Sequence, residues 1–172
     1  MNPLKLNLGG RNTTIPGFKV VDIYNGENVD IKADISNLNM IEAASVDEIY
    51  ASHCLEHFGH FDTLRVLKEW RRIMRPGGKC YIGVPDFRAL VRLYEKVGLT
   101  QFIIDLGWGG QEYKEAFHYT PFDFPRLSRL VIDAGFSDVK QLAELPYGLK
   151  DCSSLRDTVT GQLISLNIEA VA

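Results

Sequence analysis

The stretch LNLGGRNTTIPGFKVVDI, residues 6–23, limits the fold more than any other part of the chain. An apolar run ends in a glycine pair, and a short polar segment holding Pro16 and Gly17 leads into a second apolar run that ends on Asp22. That segment cannot supply the helix that normally carries the chain from one parallel strand to the next. Two strands joined by a loop are therefore predicted, with Gly9, Gly10 and Asp22 at their carboxyl ends.

Further strands are predicted at residues 29–32, 47–52, 79–84, 138–142 and 163–171, with the first two at 4–8 and 18–23. Several are continuous apolar runs, which suits strands covered on both faces. Phe61, Leu64, Leu67, Trp70 and Met74 recur at helical spacing until Pro76-Gly77-Gly78 stops them. Asp86 is placed to cap a second helix carrying Leu90, Val91, Tyr94 and Val97, and a third runs from Pro125 through Leu127, Leu130 and Val131 to Gly135. Strands alternating with helices predict an α/β fold with a mainly parallel sheet and helices on its faces. Between 138–142 and 163–171 no helical pattern appears, so a long irregular connection and an antiparallel last strand are expected.

At 172 residues, with no repeat or linker-like stretch, one domain spanning 1–172 is expected. A net charge of -3 and no basic, aromatic-laced stripe argue against a nucleic-acid partner. Arg71, Arg72 and Arg75 read as solvated charge. Cys54, Cys80 and Cys152 suggest neither a disulfide framework nor a paired-cysteine metal knuckle, and no leader or membrane span is evident, so a cytoplasmic protein is expected.

In open parallel sheets, ligands sit beyond the carboxyl ends of the strands, where strand order reverses. Gly9 and Gly10 would let a ligand approach the backbone. Asp22 can accept both hydroxyl hydrogens of a ribose, and Asp34 can take an amino group such as that of adenine. A tight turn or a helix cap explains each residue separately; their joint placement points to a nucleoside. Pyrophosphate recognition needs a helix N-terminus after the first strand, which disfavours a dinucleotide.

The segments LNLGG, IPGFKVVDI, ADI, VDEIYASHCLEHF, RIMRPGGKCYIGVPDF and LVIDAGFSDV occur in the order found in class I S-adenosylmethionine-dependent methyltransferases, which the chain resembles over nearly its whole length. It resembles especially the small bacterial and phage-type predicted enzymes with a short first loop. The resemblance implies a Rossmann-like seven-stranded sheet of order 3-2-1-4-5-7-6 with strand 7 antiparallel, and S-adenosylmethionine as cofactor. It implies that Gly9 and Gly10 line the methionine part, Asp22 holds the ribose, Asp34 and Ile35 contact adenine, and Ser52, His53 and Leu55 run beside the sulfonium. Asn7 and Ile23 complete the implied cofactor set. The chain departs from the family in lacking a further glycine in the first loop, in replacing the first helix by a loop, and in showing no N-terminal helices over the substrate.

HCLEH, residues 53–57, also satisfies the H-x-x-E-H spacing of inverted zinc proteases. That chemistry needs a helix and a third ligand, whereas the cluster falls at the end of a strand; no metal is expected. Under the methyltransferase reading, His53, Glu56 and His118 are the candidates to orient substrate or accept its proton, and His57 is a residue that holds the site in shape. Residues 105–124 combine glycines with Trp108, Tyr113, His118 and Tyr119 in an irregular segment, expected to be a substrate lid or a homodimer contact. The expected activity is methyl transfer to oxygen or nitrogen of a small molecule or saccharide precursor. The rival from another class is a non-catalytic binding or assembly module.

Overall fold

The computed structural model describes residues 3–10 and 12–172. Its sheet has the order β3-β2-β1-β4-β5-β7-β6, built from β1 (Lys5–Leu8), β2 (Phe18–Asp22), β3 (Ile31–Lys32), β4 (Val46–Ser52), β5 (Met74–Pro85), β6 (Ser137–Leu142) and β7 (Ser165–Val171). β7 runs antiparallel to β5 and β6, and the remaining pairs are parallel. The expected strand order and the reversed seventh strand are both present.

The helices are α1 (Thr63–Ile73), α2 (Phe87–Val97), α3 (Gln101–Trp108) and α4 (Phe124–Asp133). Val66, Leu67, Trp70 and Ile73 of α1 and Leu127 and Val131 of α4 pack against Leu6, Leu8, Ile49, Ala51, Ile82 and Val84 from one face of the sheet. Successive strand residues point to opposite faces, so Tyr50 and Tyr81 face the other way. There Ile15 and Leu145, from the β1-β2 loop and the long β6-β7 connection, cover them. α1 and α4 thus cover one face of the central strands, and the loops carrying Ile15 and Leu145 pack on Tyr50 and Tyr81 on the other.

Asp86 caps α2, accepting from the Arg88 amide at 3.0 Å, but the buried face carries Ala89, Leu90 and Leu93, while Val91 and Tyr94 are exposed. Asp123 caps α4 through the Arg126 amide at 2.9 Å, with Pro125 in the first turn. α3 lies partly within the segment expected to be irregular. The arginines read as solvated charge instead hold the fold. Arg72 grips Glu69 and the Leu38 and Ile41 carbonyls, Arg75 pairs with Asp47, and Arg71 donates to the Gly135 carbonyl. Among the described residues no helix is long and apolar enough to cross a membrane.

Candidate active site

A cavity of about 720 Å³ opens at the carboxyl ends of β1, β2 and β4. Its floor is the turn after β1. Gly9 has φ +69°, and a Cβ there would come within 2.8 Å of the Cys54 Cβ. A Cβ on Gly10 would lie 2.1 Å from Asn7 Nδ2, and that same amide donates to the Thr13 carbonyl at 2.7 Å. The glycines therefore let the loop fold back over Asn7 and Cys54, a reason internal to the protein that stands beside the expected approach of a ligand.

Asp22 sits on the wall at the end of β2, where its Oδ1 accepts from the Tyr24 amide at 2.9 Å. Ile23, Asp34 and Ile35 complete this end. The loop carrying Asp34 and Ile35 is fastened from beneath by α1. Trp70 Nε1 donates to the Ile35 carbonyl at 2.9 Å, and Glu69 accepts from the Leu38 amide at 2.8 Å.

Ser52 and His53 line the cavity, whereas Leu55, expected beside the sulfonium, is fully buried and turns its side chain into the core. A 3-10 turn, Leu55–His57, follows β4 in place of the helix that zinc-protease chemistry requires. His53 Nε2 is 3.0 Å from Ser165 Oγ, and its Nδ1 lies 3.3 Å from Glu56 Oε1. Burial, with His118 and His57 nearby, pushes the His53 imidazole down to about 3, so it is neutral at physiological pH. Both ring nitrogens thus face protein groups, Ser165 Oγ and Glu56 Oε1.

Glu56 and His118 do not reach the cavity wall. Glu56 is 1% exposed, and its carboxylate oxygens have no hydrogen-bond partner among the described residues. Burial raises its carboxyl to about 8. His57 does line the cavity.

Of the expected lid residues, Tyr113 and Tyr119 line the cavity, together with Lys114 and Glu115, while Trp108 and His118 do not. The segment is held at both ends of its span. The Tyr24 hydroxyl donates to Glu115, and the Tyr119 and Thr120 amides both donate to the Glu56 carbonyl. Asp62, Asp151 and Cys152 also reach the wall. Asp62 precedes α1, while Asp151 and Cys152 are neighbours in the β6-β7 connection, and none belongs to a motif that would mark it.

The donor set suits S-adenosylmethionine. A cavity of this size falls in the range of small-molecule sites. Ile23 and Ile35 offer apolar flanks, and the Asp22, Asp34, Asp62, Glu115 and Asp151 carboxylates outnumber the Lys114 ammonium among the described lining residues, favouring a cationic sulfonium over a phosphate.

Residues 18–82 match the methyltransferase domain family. No curated protein matches the chain by sequence. Among solved structures, a SAM-dependent methyltransferase from Archaeoglobus fulgidus superposes with a TM-score of 0.63 at 16% identity, covering 99% of this chain and 86% of that one. A SAM-dependent methyltransferase from Methanosarcina mazei gives 0.62 at 18% identity, covering 99% and 93%. The 1,6-didemethyltoxoflavin-N1-methyltransferase of Burkholderia thailandensis, solved with its substrate and S-adenosylhomocysteine, gives 0.59 at 15% identity, covering 99% and 71%. At these identities the structural likeness is one of fold. The chain therefore has the fold of these S-adenosylmethionine-dependent methyltransferases, and the methyltransferase domain family matches its residues 18–82.

Proposed function

We propose that the protein transfers a methyl group from S-adenosylmethionine to an oxygen or nitrogen of a small, hydroxyl- or amine-bearing molecule, with a saccharide precursor as the preferred class. The carrying observation is the convergence of Gly9-Gly10, Asp22, Asp34 and Ser52, from the ends of different strands, on one acidic cavity. Asp22 binds the ribose hydroxyls, and Asp34 and Ile35 take the adenine. When bound, the cofactor supplies a methyl carbon activated by its sulfonium sulfur, which leaves as a neutral thioether as the acceptor lone pair takes the methyl group.

The chain's own contribution is alignment and exclusion of water. Tyr113 and Tyr119 wall the cavity on the side of the lid, and His53, hydrogen-bonded to Ser165, sets the shape of the β4 end. An amine acceptor attacks through its free lone pair and sheds its proton to solvent after release, so it requires no base. The excess of carboxylates in the wall supports a neutral or cationic acceptor and argues against a polyphosphate one.

Isothermal titration of the purified protein with S-adenosylmethionine and S-adenosylhomocysteine tests this reading. Micromolar binding of either is expected. A folded protein that binds neither overturns it and favours a non-catalytic module.

A further inference from the structure

The H-x-x-E-H spacing pairs His53 with His57, but the fold brings His57 to a different partner. His118, far along the chain, packs its ring against that of His57 with centroids 4.9 Å apart. One ligating atom each from Glu56, His57 and His118 lie within 4.8 Å of one another. We propose that Glu56, His57 and His118 bind a divalent transition-metal ion of the zinc type at the edge of the cavity, tying the lid segment to the end of β4.

Two independent observations carry this. The first is the tautomer of the two rings. His57 Nδ1 is 3.0 Å from the Phe117 carbonyl and His118 Nδ1 is 2.9 Å from the Leu106 carbonyl. A carbonyl only accepts, so each Nδ1 carries the hydrogen and each neutral ring keeps its lone pair on Nε2. Protein imidazoles that ligate metals are held in this way, with the outer nitrogen donating to a backbone carbonyl or carboxylate. His118 Nε2 faces Glu56 Oε1 at 4.0 Å.

The second is Glu56. A carboxylate that is 1% exposed and lacks any hydrogen-bond partner among the described residues is costly. The nearest imidazole nitrogen, His53 Nδ1 at 3.3 Å, faces Oε1 without making a hydrogen bond to it, and neither Nε2 lone pair can donate to it. A cation between the three groups satisfies all of them at once. Two imidazole nitrogens and one carboxylate oxygen suit zinc or a neighbouring first-row ion rather than magnesium or calcium. Bonds of about 2.1 Å would draw the ligand atoms to roughly 3.4 Å apart, which small side-chain rotations supply.

The backbone already docks the two ligand-bearing segments. The Tyr119 and Thr120 amides donate to the Glu56 carbonyl at 2.8 and 3.2 Å, and Thr120 Oγ1 donates to the Phe58 carbonyl at 2.7 Å. Since His57 lines the cavity and Tyr113 and Tyr119 precede or follow His118 closely on the same wall, an ion here fixes the lid against the site.

The test uses the full chain, stripped with a chelator and titrated with zinc(II) against a chromophoric competitor, and with cobalt(II) for its visible spectrum. Uptake of one equivalent is expected, with cobalt bands typical of nitrogen and oxygen ligands in a tetrahedral field. Glu56→Gln and His118→Gln should each weaken binding by more than the roughly 10- to 100-fold that loss of a supporting hydrogen bond costs. Cys152→Ser should leave it unchanged. If Glu56→Gln does not fold, His118→Gln, at a half-buried position, carries the result. Absence of uptake, uptake unaltered in the folded variants, or thiolate-to-cobalt charge transfer would overturn the proposal. None of these readouts involves S-adenosylmethionine, so they stand apart from the titration with the cofactor.

Discussion

The Tyr24 hydroxyl donates to the Glu115 carboxylate at 2.7 Å, bridging a sequence separation of 91 residues. Tyr24 stands two residues after Asp22, and Glu115 belongs to the 105–124 segment, so this bond ties two walls of the cavity together. Tyr113 packs edge-on against the Tyr24 ring at 6.3 Å and adds to the same contact. Glu115 is solvated, so the tie acts on local opening rather than on global stability. Tyr24→Phe should speed tryptic cleavage after Lys114 while leaving the melting temperature unchanged. Equal cleavage rates in the two proteins would show that the lid is held elsewhere.

Asp22 gives the most direct test of cofactor geometry. Hydrogen bonds to a charged group contribute about 1.5–3 kcal/mol, so Asp22→Ala should weaken S-adenosylmethionine roughly 10- to 100-fold in calorimetry. Because Asp22 Oδ1 also accepts from the Tyr24 amide, Asp22→Asn is the better-behaved control. It keeps an acceptor for the turn and removes the charge. Affinity equal to wild type in both variants would remove Asp22 from the binding site.

The contact between residues 10 and 7 predicts a stability effect with a built-in rescue. A Cβ at position 10 would lie 2.1 Å from Asn7 Nδ2, so Gly10→Ala should cost about 1–3 kcal/mol as an overpacking change. For a chain of this size that is a fall of roughly 2–12 °C in Tm. Adding Asn7→Ala should restore part of the loss by clearing the space. A double variant no more stable than Gly10→Ala would locate the cost in the backbone rather than in the Asn7 contact.

The strands, the glycine turn and the carboxylates at the strand ends were legible because local patterns encode them, whereas the strand order came from the family resemblance. Apolar runs mark β1, β2, β4 and β5, and Gly9-Gly10, Asp22 and Asp34 stand directly at the ends of predicted strands. α3 was not, because QFIIDLGW scatters apolar residues around the helix and buries only Ile103, leaving no polar face to set a period. The cover over Tyr50 and Tyr81 was hidden for a related reason. Leu145 belongs to a connection without periodicity and acquires its role only through tertiary packing. The approach of His118 to Glu56 is long-range as well, and no spacing within HCLEH announces it.

The fastening of the Asp34 loop should show in acid. Glu69 accepts from Arg72 at 2.7 Å and from the Leu38 amide at 2.8 Å. The Arg72 hydrogen bond holds its carboxyl below the ordinary glutamate value. A carboxyl whose folded pKa lies below its unfolded one of about 4.3 stabilises the fold above that pH and loses the contribution as pH falls through the folded value. Wild type should therefore exceed Glu69→Gln in stability at neutral pH, and the gap should narrow as pH drops below about 4. Cofactor affinity should follow, since Leu38 and Ile41, whose carbonyls Arg72 also holds, continue the loop that carries Asp34 and Ile35. Denaturant titrations of both proteins at a series of pH values measure the gap directly. A difference independent of pH would mean that the Glu69 side chain acts through packing alone, and that the Asp34 end of the cavity is held by Trp70 Nε1 and the core beneath it.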